Sequence, residues 1–209
     1  SWNPYSTPIQ CSAAIEVLRE VGVPDKKYPL VSGLLHYLAS KSNFVDGRWL
    51  NTVPSNNDYP HASWWHNDSV STSHSEFNPS AILAGFILEC AERDSEVYRL
   101  GLDIAHELAT SFMRDSRLAL HPLLCMVDLL GAITRSGLEP AFDYDFLVGL
   151  ASERILDLVQ QDAELWSSYG CRPSHFVRSP AHPLYAELED LVDKELEYLV
   201  SNRNAEGVW

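Results

Sequence analysis

Apolar residues recur every three to four positions through most of this 209-residue chain. This spacing places apolar side chains on one face of an α-helix, whereas a half-buried strand would alternate at every second residue. Pro, Asn, Ser or Thr begins several of the periodic segments, and Gly follows some of them. The pattern predicts seven helices, at about 8–21, 28–42, 79–90, 95–113, 121–135, 143–162 and 183–201, with no convincing strand.

One long segment, residues 50–77, lacks this periodicity and is predicted to be a loop. It is rich in Asn, Asp, Ser, Thr, Pro and His, and it also contains Tyr59, Trp64 and Trp65. Loops of this length are uncommon inside a compact domain, and the ordered ones usually have a function. Because aromatic residues argue against disorder, we expect the first half of this loop to be ordered.

Two segments share a pattern at the ends of predicted helices. Residues 37–49 read YLASKSNFVDGRW, and residues 198–209 read YLVSNRNAEGVW. In both, a polar loop leads to an acidic residue, Gly, one variable residue and Trp. Gly permits backbone conformations that other residues resist, and Trp is expected to pack back as a large apolar side chain. Such a repeat predicts helical hairpins that stack on one another.

The repeat resembles the Gly-x-Trp motif of terpenoid cyclases and protein prenyltransferase β subunits. The resemblance implies an all-α fold, an α/α toroid of helical hairpins around an apolar cavity, formed by residues 1–209 as one domain. Because the chain ends on the second motif, we expect either an incomplete ring or a longer chain. No catalytic motif of these families is matched: Asp143-Tyr144-Asp145-Phe146 lacks the last Asp of the Asp-x-Asp-Asp acid motif, and no Asp-x-Cys zinc pair occurs.

Composition restricts the partners and the compartment. The net charge of −14 at pH 7 repels duplex nucleic acid and anionic membrane surfaces. No apolar run reaches the roughly 18–20 residues of a membrane span. The four cysteines include no Cys-x-x-Cys pair, so a reduced, cytoplasmic protein without structural zinc is the simplest interpretation. We expect no cofactor, no metal and no nucleic-acid partner.

The main candidate site lies in the long loop, where Asp58, Tyr59, His61, Trp64 and Trp65 are close in sequence. A carboxyl or imidazole group beside aromatic faces could donate a proton and stabilise a cationic intermediate. We therefore assign Asp58 and His61 to catalysis, and the three aromatic residues to substrate binding. An equally weighted alternative is that the tryptophans pin the loop while the polar groups cap helix ends.

A second group of candidates lies on the fifth predicted helix. His121, Cys125 and Asp128 share one face, because steps of four and three residues return to nearly the same direction. We assign His121 and Cys125 to substrate binding. These are also metal-ligand types, but helix capping and a buried thiol are the commoner explanations.

Arg172, His175 and Arg178 form one small basic patch in an otherwise acidic chain. They suit a phosphate or carboxylate of a ligand. A solvated linker between two helices explains them as well, and that interpretation is modestly preferred.

Together these features predict an enzyme that encloses an apolar, terpenoid-like or polycyclic small molecule in a central aromatic cavity. It would promote cyclisation, isomerisation or cycloaddition without a metal, since such reactions need little beyond folding the substrate and a few hydrogen bonds. The alternative is a non-catalytic helical scaffold or a carrier for an apolar ligand. An enzyme predicts an aromatic pocket into which Asp58 or His61 points, whereas a scaffold predicts a filled centre.

Overall fold

The computed structural model of the chain describes residues 2–22, 25–69, 76–115, 118–159, 166 and 171–207. In these ranges it contains seven α-helices: α1 (Pro8–Val21), α2 (Pro29–Ala39), α3 (Ser80–Cys90), α4 (Glu96–Arg114), α5 (Leu120–Arg135), α6 (Tyr144–Leu158) and α7 (Tyr185–Ser201). The strands of the described part are β1 (Phe44–Val45) and β2 (Arg48–Trp49), which pair antiparallel. The all-α prediction is confirmed, and each helix begins within two residues of its predicted start. Closure of the helices into a ring stays a prediction.

The helix beginnings follow from local capping interactions. At α1, the Thr7 hydroxyl accepts a hydrogen bond from the Gln10 backbone N–H at 3.3 Å, and the Gln10 side chain accepts one from the Thr7 N–H at 3.2 Å. This reciprocal arrangement is a capping box, which satisfies two backbone donors that the helix leaves unpaired. At α3, Pro79 occupies the N-cap position directly before the first helical residue, Ser80.

Helix α3 lies at the centre of the described structure. Every residue of α3 except Glu89 is buried, and the helix packs against α1, α2, α4 and α5. A helix that is apolar around its whole circumference must be covered on all sides. Two glycines allow the closest approaches: a Cβ atom at Gly85 would lie 2.8 Å from the Cβ of Ala132, and one at Gly101 would lie 2.5 Å from Cγ2 of Ile87.

The first Gly-x-Trp motif forms a tight hairpin instead of a simple helix end. Helix α2 ends at Ala39, before the predicted Ser42, and the chain turns so that β1 and β2 pair. Asp46 and Gly47, the two residues between the strands, have φ angles of +50° and +79°. Positive φ at both positions is required by the common two-residue hairpin turn and favours Asp-Gly. The hairpin buries Trp49 completely, which confirms the predicted packing of this residue.

The second motif is only partly within the described residues. Gly207 has a φ angle of +82°, and its carbonyl oxygen accepts a hydrogen bond from Arg203 Nε at 2.8 Å. Trp209 lies outside the described residues.

Helix α6 ends at Leu158, before the predicted Asp162, which also lies outside the described residues. Among the helices described, none combines the length and the apolar character that crossing a membrane requires.

Candidate functional site

The loop predicted to carry catalysis contains two short 3-10 turns, Pro54–Asp58 and Ser63–Trp65. Asp58 is exposed, and Trp64 keeps 74% of its surface in contact with solvent. Tyr59 is half-buried and packs edge-to-face against Tyr5, with ring centroids 6.2 Å apart. Trp65 is also half-buried. Trp64 therefore faces solvent, and the assignment of the loop aromatics to substrate binding stays a prediction.

Asparagine side chains hold this loop in place. Asn3 Nδ2 donates a hydrogen bond to Asn56 Oδ1 at 3.0 Å, and Asn56 Nδ2 donates one to the Trp65 carbonyl at 3.1 Å. Asn57 Nδ2 donates to the Asn67 carbonyl at 2.8 Å, while the Asn67 N–H donates back to Asn57 Oδ1 at 2.9 Å. These bonds satisfy polar groups that would otherwise be costly to bury. The Asn-rich composition is visible in the sequence, but this role was not predicted from it.

His61 is tied into the same loop through both ring nitrogens. Its Nδ1 lies 2.6 Å from the Tyr59 carbonyl oxygen, and its Nε2 lies 3.1 Å from Nδ1 of His66. Because a carbonyl can only accept, Nδ1 of His61 carries the proton in the neutral ring and Nε2 accepts from His66. A proton transfer to substrate by His61 would therefore have to break one of these contacts.

The structure contains a cleft of about 520 Å³ between α1, α5 and the segment 172–182. Its apolar wall comes mainly from α3, α5 and the segment before α7: Ile82, Leu120, Leu124, Val127 and Phe176. Its polar lining is unusually rich in basic and imidazole groups: Arg135, Arg172, Arg178, His121, His175 and His182. The other lining residues are Ser12, Glu16, Asn78, Cys125, Asp128 and Ser179.

Some of the predicted site residues lie in the cleft and the others lie in the long loop. His121 and Cys125 line the cleft, as does Asp128 on the same face of α5. Asp58, Tyr59, His61, Trp64 and Trp65 do not line it. The basic patch, for which a solvated linker was the modestly preferred interpretation, contributes all three of its members to the cleft.

A sequence signal for the cleft was present but was not recognised. Five of the polar lining residues stand directly before a proline: Asn78, His121, Arg172, Ser179 and His182. The chain contains twelve prolines, so a large share of them follow a cleft residue. Steric contact with the proline ring disfavours helical geometry in the preceding residue. Polar residues before proline are therefore a recognisable feature of the non-helical segments and helix starts that line this cleft.

The arginines of the cleft retain unused hydrogen-bond donors. Arg135 donates from Nε to Glu89 at 2.5 Å, and Arg178 donates from Nη1 to Glu20 at 3.3 Å. The buried Nε atom of Arg172 lies 4.0 Å from the Glu195 carboxylate, whereas the two Nη atoms of Arg172 make no hydrogen bond to any described residue. These Nη groups are the donors that Arg172 offers to a ligand oxygen.

Two of the histidines are held as neutral hydrogen-bond donors. Nδ1 of His175 accepts from the Arg172 N–H, and Nδ1 of His182 accepts from the Leu184 N–H, both at 3.3 Å. Burial lowers the pKa of both rings, and Arg172 lowers that of His175 further while Arg135 does so for His182. The neutral tautomer in each case therefore carries its proton on Nε2, which leaves that N–H as the ring's donor.

Two carboxyl groups in the cleft have different environments. Asp128 accepts from Nη1 of Arg19 at 2.6 and 2.7 Å, and Nη2 of Arg19 donates to Glu89 at 2.9 Å. Glu16 makes no hydrogen bond or ion pair with any residue that the structure describes. Loss of solvation raises the pKa of Glu16, and the nearby Asp128 raises it further, while Arg178 and Arg19 lower it. Burial also raises the pKa of Asp128, but Arg19 holds that carboxyl group in an ion pair. Glu16 is therefore the cleft carboxyl group without an ion-pair partner among the described residues, and the candidate to hold a proton.

Cys125 contributes a neutral thiol to the cleft. It is 4% exposed, and burial followed by the charge of Asp128 raises the pKa of its thiol. Because the thiolate is the reactive form, Cys125 serves as a small apolar wall residue at neutral pH. Within the described ranges no three His, Cys, Asp or Glu side chains are placed to hold a metal ion.

The far wall of the cleft is anchored by a buried carboxylate on α7. Glu195 is 1% exposed and accepts hydrogen bonds from the Ser174 N–H at 2.7 Å and the Ser174 hydroxyl at 2.6 Å. Its carboxylate also lies 4.0 Å from Nε of Arg172. Bonds to a charged group are stronger than neutral ones. Helix α7 therefore fixes the turn that presents Arg172 and His175 to the cleft.

Comparison with known proteins adds no family assignment. No family model, curated protein or solved structure matches the chain. The function of the cleft therefore has to be argued from its own residues.

Proposed function

We propose that this chain binds a small organic molecule with an apolar body and an anionic oxygen group in the cleft between α1, α5 and residues 172–182. The observation that carries this proposal is the convergence of three arginines and three histidines on one cleft in a chain of net charge −14. Two separate parts of the sequence supply them, α5 and residues 172–182, so the meeting of these two parts is a property of the fold.

The donors of the cleft match an oxyanion. Arg172 has two Nη atoms that make no hydrogen bond to any described residue, and guanidinium groups bind carboxylate and phosphate in a planar, two-point geometry. His175 and His182 add neutral Nε2–H donors, which bind oxygen without adding a charge that would need compensation.

The remaining wall matches an apolar body. Leu124, Val127 and Phe176 line the cleft beside the donors. A volume of about 520 Å³ falls within the roughly 300–1,000 Å³ range of small-molecule sites. Apolar walls with a few convergent polar groups are typical of such sites.

The proposal can be tested with two fluorescent probes that share one aromatic body. Anilinonaphthalene sulfonate carries an anionic group, and N-phenyl-naphthylamine lacks it. We expect the sulfonate to bind more tightly to the folded protein. Because a hydrogen bond to a charged group contributes about 1.5–3 kcal/mol, Arg172→Gln should weaken sulfonate binding roughly tenfold or more. Binding of the neutral probe should change little.

Two further variants make the result specific. Arg178 forms an exposed ion pair with Glu20. Arg178→Gln should therefore also weaken binding of the sulfonate, without a large effect on the stability of the protein. His61→Ala, in the loop, should leave both probes unaffected. An anion site would be contradicted if the arginine variants lost the same affinity for both probes, or if the unaltered protein bound the two probes equally well.

Proton transfer to the bound molecule is a second candidate function, favoured by Glu16. Its carboxyl group lines the cleft, and its pKa is raised, as suits a general acid. The proton would add to one carbon of a carbon–carbon double bond and break its π bond, and the resulting cation would lose a neighbouring proton to water. Farnesoic acid, an isoprenoid carboxylate, can be incubated with the protein in deuterated water. Deuterium incorporated at carbon, detected by mass spectrometry and lost in Glu16→Gln, would support this function. Incorporation that persists in Glu16→Gln would exclude Glu16 as the acid.

Cyclisation, isomerisation or cycloaddition of a terpenoid-like molecule by Asp58 and His61 stays a prediction. The exposure of Asp58 and the occupied ring nitrogens of His61 give it less support than the cleft receives. The alternative of a non-catalytic carrier also fits a cleft that binds without reacting. Product analysis of the farnesoic acid incubation with Asp58→Ala distinguishes these: a product that disappears in this variant would restore the loop assignment.

A further inference from the structure

The basic groups of the cleft form two clusters at opposite ends of α5. His121 lies in the first turn of α5 and Arg135 in its last. They are 14 residues apart, so a rise of about 1.5 Å per residue separates their Cα atoms by roughly 21 Å along the helix axis.

The other basic groups associate with one end or the other. Arg172, Arg178 and His121 act electrostatically on His175. At the second end, Arg135 acts on His182. We call the group around His175 the first cluster and the pair of Arg135 and His182 the second cluster. The cleft therefore has two separate positions at which an oxyanion would be stabilised.

The middle of the cleft has the opposite character. On α5, Leu124 and Val127 supply apolar surface there, and the charge of Asp128 is compensated by Arg19. Glu16 adds a second carboxyl group close to Asp128, and the charges of Arg178 and Arg19 act on it. An anionic group placed in the middle would meet two carboxyl groups that these arginines already compensate, while one placed at either end would meet an arginine with unused donors.

Each cluster has donors available for a ligand. In the first cluster, the Nε atom of Arg172 lies 4.0 Å from the Glu195 carboxylate, and its two Nη atoms make no hydrogen bond to any described residue. In the second cluster Arg135 uses Nε to bind Glu89, and its two Nη atoms make no hydrogen bond to any described residue. A single acidic group could satisfy only one of these clusters.

We infer that the ligand is an elongated molecule with an acidic oxygen group at each end and an apolar middle, of the class of long-chain α,ω-dicarboxylates. One group lies at the first cluster, the other at the second, and the apolar middle lies along α5. This inference rests on the proposed function of the cleft and adds the number and spacing of the anionic groups.

Matched acids test the inference directly. Dodecanedioate, tetradecanedioate and hexadecanedioate are compared with the monocarboxylates of the same length, at fixed ionic strength and below micelle formation. Affinity is measured by calorimetry and by displacement of anilinonaphthalene sulfonate. At one chain length or more, the dicarboxylate should bind at least about tenfold more tightly than its monocarboxylate, as expected for one added charge-assisted hydrogen bond.

Variants locate the second group. Arg135→Gln should reduce dicarboxylate affinity to the level of the monocarboxylate and leave the monocarboxylate nearly unchanged. His182→Gln, at the same end, provides an independent variant if Arg135→Gln does not fold. Arg99→Gln, which changes an exposed arginine of α4 outside the cleft, should change neither affinity.

The outcomes separate this inference from the proposed function. If both acids bind equally at every length and both weaken in Arg172→Gln, the two-ended ligand is refuted while the anion site stands. If neither acid binds and neither displaces the sulfonate, the inference fails together with the proposed function. A dicarboxylate advantage that persists in both Arg135→Gln and His182→Gln would also refute the assignment of the second cluster.

Discussion

Replacing Gly101 by Ala tests the close packing of α4 on α3. A Cβ atom at Gly101 would lie 2.5 Å from Cγ2 and 2.9 Å from Cβ of Ile87, which is itself fully buried. Inserting a methyl group into a filled core typically costs about 1–3 kcal/mol. Alanine offsets part of this cost, because it is favoured over glycine within a helix by about 0.5–1 kcal/mol. We therefore expect Gly101→Ala to lower the free energy of unfolding by about 1–2 kcal/mol.

The same substitution at Gly149 is the matched control. Gly149 lies within α6 and is exposed, and a Cβ atom at this position would have no described heavy atom within 4 Å. Only helix propensity acts there, so Gly149→Ala should stabilise the protein by about 0.5–1 kcal/mol. For a chain of this size, thermal unfolding should shift by about 2–4 °C per kcal/mol: downward for Gly101→Ala, upward for Gly149→Ala. Equal upward shifts in both variants would refute the approach of α4 to α3.

Three further predictions concern the hairpin, the loop and the histidines. Trp49→Ala should lower the free energy of unfolding by about 3–5 kcal/mol, because this large side chain is fully buried; urea denaturation measures it. Asn67→Ala removes the hydrogen bond from Asn67 Nδ2 to the Thr52 carbonyl at 2.9 Å and should lower the free energy of unfolding by about 1–3 kcal/mol. Proteolysis in the loop should be faster in this variant than in the unaltered protein. The pKa of His175 and of His182 lies below 6.5 in the folded state. As the pH falls, these two rings therefore bind protons in the unfolded chain before they do so in the folded chain. Stability should therefore fall as the pH drops below about 6.5, and His175→Gln with His182→Gln should reduce that slope in urea titrations at several pH values.

The helices were predictable because their signals are local. The capping box of Thr7 and Gln10 spans four residues, and the apolar repeat of each helix can be recognised in a short window. The burial of Trp49 also followed from its motif, although the hairpin that achieves this was not predicted. Asp46-Gly47 was a recognisable hairpin signal, but the strands on either side have only two residues each, too few for an alternating pattern.

The site was less predictable because its residues meet only through packing. The face shared by His121 and Cys125 was identified, since both belong to one helix. Arg135 gave no comparable signal: its place beside the cleft depends on how the segment before α7 folds against α5. The catalytic role of the loop residues stays a prediction, and an aromatic and imidazole-rich composition does not reveal that both ring nitrogens of His61 contact neighbours in the same loop.

By itself, the sequence determined the helices, the sharp turn at Asp46-Gly47 and the overall acidic charge, all of which depend on a few neighbouring residues or on composition. The tertiary structure decided where the basic groups meet. Glu195, 21 residues from Ser174, holds the turn that carries Arg172 and His175, while α1 supplies Arg19 to neutralise Asp128, 109 residues away. Contacts over such separations depend on the packing of whole helices, and only the folded chain shows that its arginines and histidines line one cleft.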